Sequence, residues 1–264
     1  MFYGNTIKLT NLLWNLHRSS IYTHRNEPIM DYIIQTDALD FQYAADKKVL
    51  NGISLHVPKG AIYGFLGPNG AGKSTTMMLL TGIIPQQGDA IRLFGAPLQQ
   101  QLPHVFTKVG ALVEQPALYL HLSGINNLRY MARLRGIDEK HIPHALAQVG
   151  LARDGRRRVR QYSLGMKQRL AIAMALLGDP ELLILDEPVN GLDPHGMMEI
   201  RQLLVRLNRE RGVTVFISSH LLTEIEKMCT HIGVIHEGKL KFEGPVSGGK
   251  DLEQWFMSLT SNSN

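Results

Sequence analysis

Residues 67–75 read GPNGAGKST, and the fold turns on this stretch. Gly67, Gly72, Lys73 and Ser74 hold the fixed places of the pattern G-x-x-x-x-G-K-[ST]. Just before it, residues 61–66 (AIYGFL) form a short apolar run suited to a buried strand. Just after it, residues 74–80 (STTMMLL) carry helical spacing. A glycine turn between strand and helix lets successive backbone N–H groups curve around phosphate oxygens, since no Cβ stands in the way. The helix adds its positive N-terminal end to the same anion. Gly67, Pro68, Asn69, Gly70, Ala71, Gly72, Lys73, Ser74 and Thr75 are therefore the expected phosphate cradle of a nucleotide site. In it, Lys73 reaches the β- and γ-phosphates and the Ser74 hydroxyl ligates Mg²⁺.

Downstream, residues 87–88 mark a turn and 89–94 a strand, and residues 109–114 (VGALVE) form another strand that ends at Gln115. From 116 to about 178 the pattern turns helical: Leu128, Met131, Ala132 and Leu134 share one face, and 142–149 forms a second amphipathic segment. This reads as a helical insertion. Its densest basic run, Arg156-Arg157-Arg158-Val159-Arg160, fits a solvated surface, with a partner or nucleic acid as the alternatives. No interleaved aromatics support base stacking, which leaves nucleic acid the weakest of the three.

Residues 162–170 read YSLGMKQRL and open an apolar helical run. Residues 181–187 (ELLILDE) form a buried strand ending in two carboxylates. An apolar run ending in Asp-Glu is common in isolation, but downstream of a phosphate loop it has a mechanical reason. The strand tip places Asp186 beside the metal and Glu187 near a water at the γ-phosphate, so one organises the metal and the other accepts a proton. Residues 190–194 form a turn, 197–211 an amphipathic helix, and 213–218 (VTVFIS) a strand running into Ser219 and His220. A histidine at a strand end of a nucleotide-binding α/β fold stands where ligands gather. A helix over 221–230, a hairpin around Glu237-Gly238 and a helix over 251–259 complete the chain.

Upstream, residues 33–43 and 53–57 have strand character, and Asn51-Gly52 is the expected turn between them. Tyr43 could stack on adenine, although by composition such a residue is more often half-buried strand. Residues 1–29 break the pattern: Leu9, Leu12, Leu13 and Leu16 have helical spacing, but Asn11 and Asn15 interrupt it. There is no signal-peptide core or cleavage site. The readings are a disordered tail, an interfacial helix, or residues ahead of a later start at Met30. The expectation is a dispensable, disordered extension over 1–30, with a compact domain over 31–248 and a C-terminal helix and tail over 249–264.

Composition sets the outer bounds. The 264 residues can bury a sizeable core, and 44% hydrophobic with 19% charged residues is the globular soluble pattern. One cysteine, Cys229, excludes an internal disulfide and fits a reducing compartment. The net charge of +5 permits an anionic partner without selecting one. No apolar run reaches the ~20 residues that spanning a bilayer needs.

Taken in order, the phosphate loop, Gln115, YSLGMKQR, ILDEP, GLD and SSH resemble the ATP-binding subunit of an ABC transporter across about residues 31–259. The resemblance implies an α/β fold: a P-loop NTPase, RecA-like core with an antiparallel β subdomain and an inserted helical subdomain. It implies that Tyr43 stacks on adenine, that Gln115 is the Q-loop glutamine and a metal ligand with Ser74 and Asp186, and that Asp193 is the D-loop aspartate. It further implies that His220 contacts the γ-phosphate and that Glu187 is the general base. Ser163 and Gly165 match the family signature, usually LSGGQ, while Tyr162, Leu164 and Met166 depart from it. YSLGMKQR and the ending LEQWFMSLT are similar to two-component exporters of antibiotics, peptides and drugs.

The implied activity is ATP hydrolysis with Mg²⁺ by two closing subunits, a homodimer or a pair of related chains. Each ATP would lie between one P-loop and the partner's Ser163 and Gly165. A separate transmembrane permease would carry the substrate, and this chain would sit on the cytoplasmic face of the membrane as a peripheral subunit. The rival is a soluble ABC-type ATPase acting on nucleic acid or ribosomes. Such proteins usually carry a coiled-coil insertion, a zinc module or a second cassette, and residues 73–163 hold only a compact insert. Many importer subunits add a C-terminal regulatory domain, and this chain ends soon after the core.

Overall fold

The computed structural model describes residues 31–44, 47–86, 88–114, 117–246 and 252–261. The expected extension over 1–30, Gln87 of the expected turn and Gln115 lie outside the described residues. Strands β1 (Tyr32–Thr36), β2 (Leu39–Ala44), β3 (Lys47–Ile53) and β4 (His56–Pro58) precede β5 (Ile62–Leu66), which leads into helix α1 (Lys73–Leu80). Then come β6 (Ile91–Leu93), β7 (Ala96–Pro97), α2 (Leu98–Gln101), β8 (Val109–Leu112), α3 (Gly124–Leu134), α4 (Ile142–Gln148) and α5 (Leu164–Leu176). The order closes with β9 (Leu182–Leu185), α6 (Pro194–Arg211), β10 (Thr214–Ser219), α7 (Leu222–Met228), β11 (His231–His236), β12 (Lys239–Pro245) and α8 (Leu252–Ser261).

The central sheet has the order β12-β11-β5-β10-β9-β8. Its strands run parallel except for β12, which returns antiparallel to β11. Strand alternation sorts the apolar residues onto two faces. Ile62, Leu66, Leu183, Leu185, Val215 and Ile217 join the core made with α5 and α6. Tyr63, Phe65, Leu182, Ile184 and Phe216 join a second core with Met77, Leu79 and Leu80 of α1. The second core also takes in Ile34, Val57 and Leu93 of an antiparallel sheet ordered β4-β1-β6-β7. Burial on both faces is why β5 and β9 read as unbroken apolar runs, and β10 does so from Val215 to Ile217. Each such side chain contributes about 1.5–3 kcal/mol when fully buried, which outweighs the modest β-propensity differences among them.

Two sequence expectations are corrected here. Residues 33–43 are two strands, because the chain turns at Ala38, whose φ is +42° and whose N–H donates to Ser54 Oγ at 3.0 Å. β1 therefore enters the antiparallel sheet while β2 pairs with β3. Asn51-Gly52 is not a turn between strands; it lies inside β3. Between the pairs Leu39↔Ile53 and Phe41↔Leu50, β3 carries one residue more than β2, which makes a bulge. Gly52 takes the positive φ of +69° that the bulge needs, and its N–H donates to Asp40 Oδ1 at 2.7 Å.

Helices α3, α4 and α5 occupy 117–178, with no strand among the described residues there. Asn127 is buried and fixes the entry to α3. Its amide accepts from Tyr119 N–H at 2.8 Å and donates to Tyr119 O and Ser123 O at 3.1 and 3.0 Å. Arg135 ties the insert to the edge of the central sheet through Phe106 O and Val109 O, at 3.3 and 3.4 Å.

Candidate active site

Three adjacent parallel strands, β5, β10 and β9, end at one edge of the sheet, with Ser219 opposite Leu66 and Ile217 opposite Leu185. Beyond their carboxyl ends lie the glycine loop, Asp186-Glu187 and His220. Ligands of open α/β sheets bind in this place.

The loop keeps its shape through glycine at two positions. A Cβ on Gly67 would collide with Ile235 O of β11. Gly72 has φ +110°, and a Cβ there would stand 2.6 Å from Leu50 Cδ2. Helix α1 starts at Gly72 with no side-chain cap, so its first-turn N–H groups keep their capacity for an anion. The β11–β12 turn buttresses the loop, because Gly238 N–H donates to Ala71 O at 3.1 Å.

Lys73 is only 6% exposed. Its ammonium donates to Gly67 O at 2.7 Å and Pro68 O at 3.3 Å, and lies 3.5 Å from Glu187 Oε1. Glu187 Oε2 is in turn 2.7 Å from His220 Nδ1. The carboxylate therefore stands between two cationic or protonatable groups. Its backbone is in the left-handed region, with φ +46°, a conformation that costs a non-glycine residue about 1–3 kcal/mol and concentrates at functional sites. Glu187 N–H donates to Ser218 Oγ at 2.9 Å, and the Ser218 hydroxyl donates to Asp186 Oδ1. Ser218 thus sets both carboxylate residues, yet sequence reading passed over it. Its only signal is a hydroxyl near the end of β10, and its role depends on β10 lying next to β9.

Gly70, Gly72, Lys73, Ser74, Thr75 and Glu187, together with Val49, Asn69 and Asn190, line a cavity of about 290 Å³. Asn190 is a second residue that the sequence did not single out. Tyr43 sits at the same loop. It is 62% exposed, its ring packs edge-on to Phe41 at 4.9 Å, and its hydroxyl is 3.3 Å from Thr75 Oγ1.

No cluster of three or more His, Cys, Asp or Glu side chains forms a metal cage among the described residues. Mg²⁺ does not need one, because it keeps several waters and binds through one or two carboxylates plus phosphates. The donor set fits that habit. Ser74 lines the cavity, and Asp186 uses Oδ1 for Ser218 while Oδ2 has no partner among the described residues.

Ser163, Gly165 and Asp193 are not gathered into this cavity. Ser163 caps α5 by accepting from Met166 N–H at 3.2 Å, and a Cβ on Gly165 would meet nothing within 4 Å. Asp193 caps α6 by accepting from Gly196 N–H at 2.7 Å, with Pro194 in the first helical position. Leu164, 55% exposed, lies beside Gly191, so the signature and the turn before Asp193 are neighbours within one chain.

Residues 50–190 match the ABC transporter family model. The chain is 50% identical over 221 residues to a bacitracin transport ATP-binding protein of Enterococcus faecalis, covering 83% of this chain and 71% of that one. It is 42% identical over 210 residues to a lantibiotic transport ATP-binding protein of Streptococcus pyogenes, covering 80% and 90%. Among solved structures it is similar to cbiO1 from Clostridium perfringens, part of the ABC transporter complex cbiONQ. That match has a TM-score of 0.74, 30% identity, and coverage of 81% and 89%.

Proposed function

This chain belongs to the ABC transporter family as an ATP-hydrolysing subunit, and we propose that it powers export of an antibiotic- or peptide-like substrate through a separate permease. The observation that carries the catalytic reading is the run Lys73–Glu187–His220 across the phosphate loop. Lys73 neutralises Glu187 as long as no phosphate competes for it. A triphosphate in the cavity draws the ammonium toward its β- and γ-oxygens, which leaves the carboxylate free to accept a proton from water. His220 holds Glu187 Oε2 and orients it. Water then adds to the γ-phosphorus, the bond to the β-phosphate oxygen breaks, and ADP leaves with phosphate. Tyr43 offers its exposed ring to the adenine. Ser74 and Asp186, with Gln115, are the residues that would hold Mg²⁺, which when bound neutralises phosphate oxygens and holds them in line.

Ser163 and Gly165 lie outside their own chain's cavity, which supports a two-fold arrangement in which they reach the partner's ATP. The permease contact falls at a groove of about 390 Å³ between β8 and the helical insert, lined by Phe106, Leu112, Val113, Ala117, Met131 and Met174. Ile83, Tyr130 and Leu134 are exposed large apolar residues of the same sheet-edge and insert region. The likeness to transport ATP-binding proteins supports a separate permease as the membrane path, with this subunit peripheral on the cytoplasmic face. Among the described residues no helix is long and apolar enough to cross a membrane.

Expression with and without the permease tests the reading. The protein should move to the membrane fraction with the permease, and Met131→Glu in the groove should release it while leaving basal ATPase activity intact. Full membrane attachment without any partner would overturn the permease reading.

A further inference from the structure

A second cavity, of about 460 Å³, opens in the helical insert between α3, α4 and residues 152–156. It shares no lining residue with the nucleotide cavity or with the groove beside β8. Ile125, Ile142, Pro143 and Leu146 give it an apolar wall. Gly155 holds the 152–156 loop against that wall, since a Cβ there would stand 2.9 Å from Leu146 Cδ1 and 3.1 Å from Ile125 Cγ1.

The mouth is basic, and its charges are not all neutralised. Arg129 is taken by Glu139, with Nε 2.7 Å from Oε2, and the other oxygen of Glu139 takes Arg133 at 2.9 Å. Asp154, the acid between the two remaining arginines in sequence, is ion-paired to Arg157 at 2.5 Å. Arg153 and Arg156 are exposed, and neither has a hydrogen bond or ion pair among the described residues. Two unpaired guanidinium groups therefore stand over an apolar wall. The guanidinium fork matches a carboxylate or phosphate, and the wall matches an alkyl chain. The volume lies in the roughly 300–1,000 Å³ range of small-molecule sites, which are mostly apolar with a few placed polar groups.

We propose that this cavity binds an amphiphilic anion, an alkyl chain ending in a phosphate or carboxylate. The chain lies against Ile125, Ile142 and Leu146, and the head group is held by Arg153 and Arg156. The same loop braces the signature, because the Tyr162 hydroxyl donates to Asp154 O at 2.7 Å and Tyr162 directly precedes Ser163. The ligand's source is either a free amphiphile or an anionic lipid in a bilayer.

The test is calorimetric titration of the full chain with dodecyl phosphate below its micelle concentration, beside sedimentation with phosphatidylglycerol and with phosphatidylcholine vesicles. The variants are Arg153→Ala/Arg156→Ala and Ala152→Trp, all at exposed positions, with ATPase activity within twofold of wild type as the control for folding. Dodecyl phosphate should bind once per chain, at least tenfold more weakly to the double arginine variant and to Ala152→Trp. Dodecanol and inorganic phosphate should each bind at least tenfold more weakly than the conjugate. Binding only to phosphatidylglycerol vesicles, lost in the same variants, would make the bilayer the source and uphold the site. Absence of saturable binding in both arms, or binding that either variant leaves unchanged, would overturn it.

Discussion

Glu187 is held from both sides, by Lys73 at 3.5 Å and His220 at 2.7 Å, and its backbone is strained to put it there. Glu187→Gln keeps the shape but cannot accept a proton at neutral pH. Hydrolysis should fall by about 10²–10⁴-fold, the usual contribution of a general base, while ATP affinity stays near wild type. A radiolabelled single-turnover assay measures the first and calorimetry the second. Lys73→Ala removes the cation that the phosphates would recruit, and losing a charged hydrogen bond costs about 1.5–3 kcal/mol. Calorimetry should therefore show ATP bound roughly 10–150-fold more weakly, and unchanged affinity would remove Lys73 from the site. Cys229 offers a check on packing. It is buried against Gly64, and burial pushes its thiol well above the ordinary cysteine range. A thiol reagent at pH 8 should leave the native protein unlabelled and react fully in denaturant.

At the scale of elements, the sequence made legible what local chemistry dictates. A phosphate cradle demands glycines, a lysine and a hydroxyl at fixed spacing, and doubly buried strands demand unbroken apolar runs. Residues 190–194 read as a turn with a helix from 197, but α6 already starts at Pro194, because Asp193 caps it and Pro suits its first turn. What stayed hidden depends on a neighbouring strand. Gly52 became a bulge because β2 brings Asp40 Oδ1 to its N–H, and Ser218 matters because sheet order sets it beside Asp186 and Glu187. Near Ala38 the only signals that the chain breaks are Asp37 and Asp40, a turn-favouring residue type depleted in strands. Asp193 also allows a measurement free of nucleotide: Asp193→Ala deletes the cap of α6 and should cost about 1 kcal/mol in chemical denaturation, within a range of about 0.5–2. No loss of stability would mean that the Gly196 N–H finds another acceptor.

At the scale of the whole molecule, the proposed phosphate cradle lines the cavity of its own chain, while the residues that match the family signature do not. Ser163 and Gly165 lie at the start of α5, outside their own cavity, and Gly165 has open space where a Cβ would be. If two subunits close over two ATP molecules, hydrolysis is what reopens them, and Glu187→Gln should accumulate as an ATP-bound dimer. Light scattering after size-exclusion chromatography should then give twice the monomer mass in Mg-ATP and the monomer mass without it. Ser163→Arg in that background should abolish the dimer, but it also removes the hydroxyl that caps α5. Ser163→Asp separates the two effects. Aspartate caps a helix as well as serine does, yet its carboxylate would face the partner's phosphates. Both changes should therefore return the protein to monomer while each monomer still binds ATP with the affinity of the Glu187→Gln parent. A dimer that survives Ser163→Asp would place the partner's phosphates away from α5, and the signature would need another role.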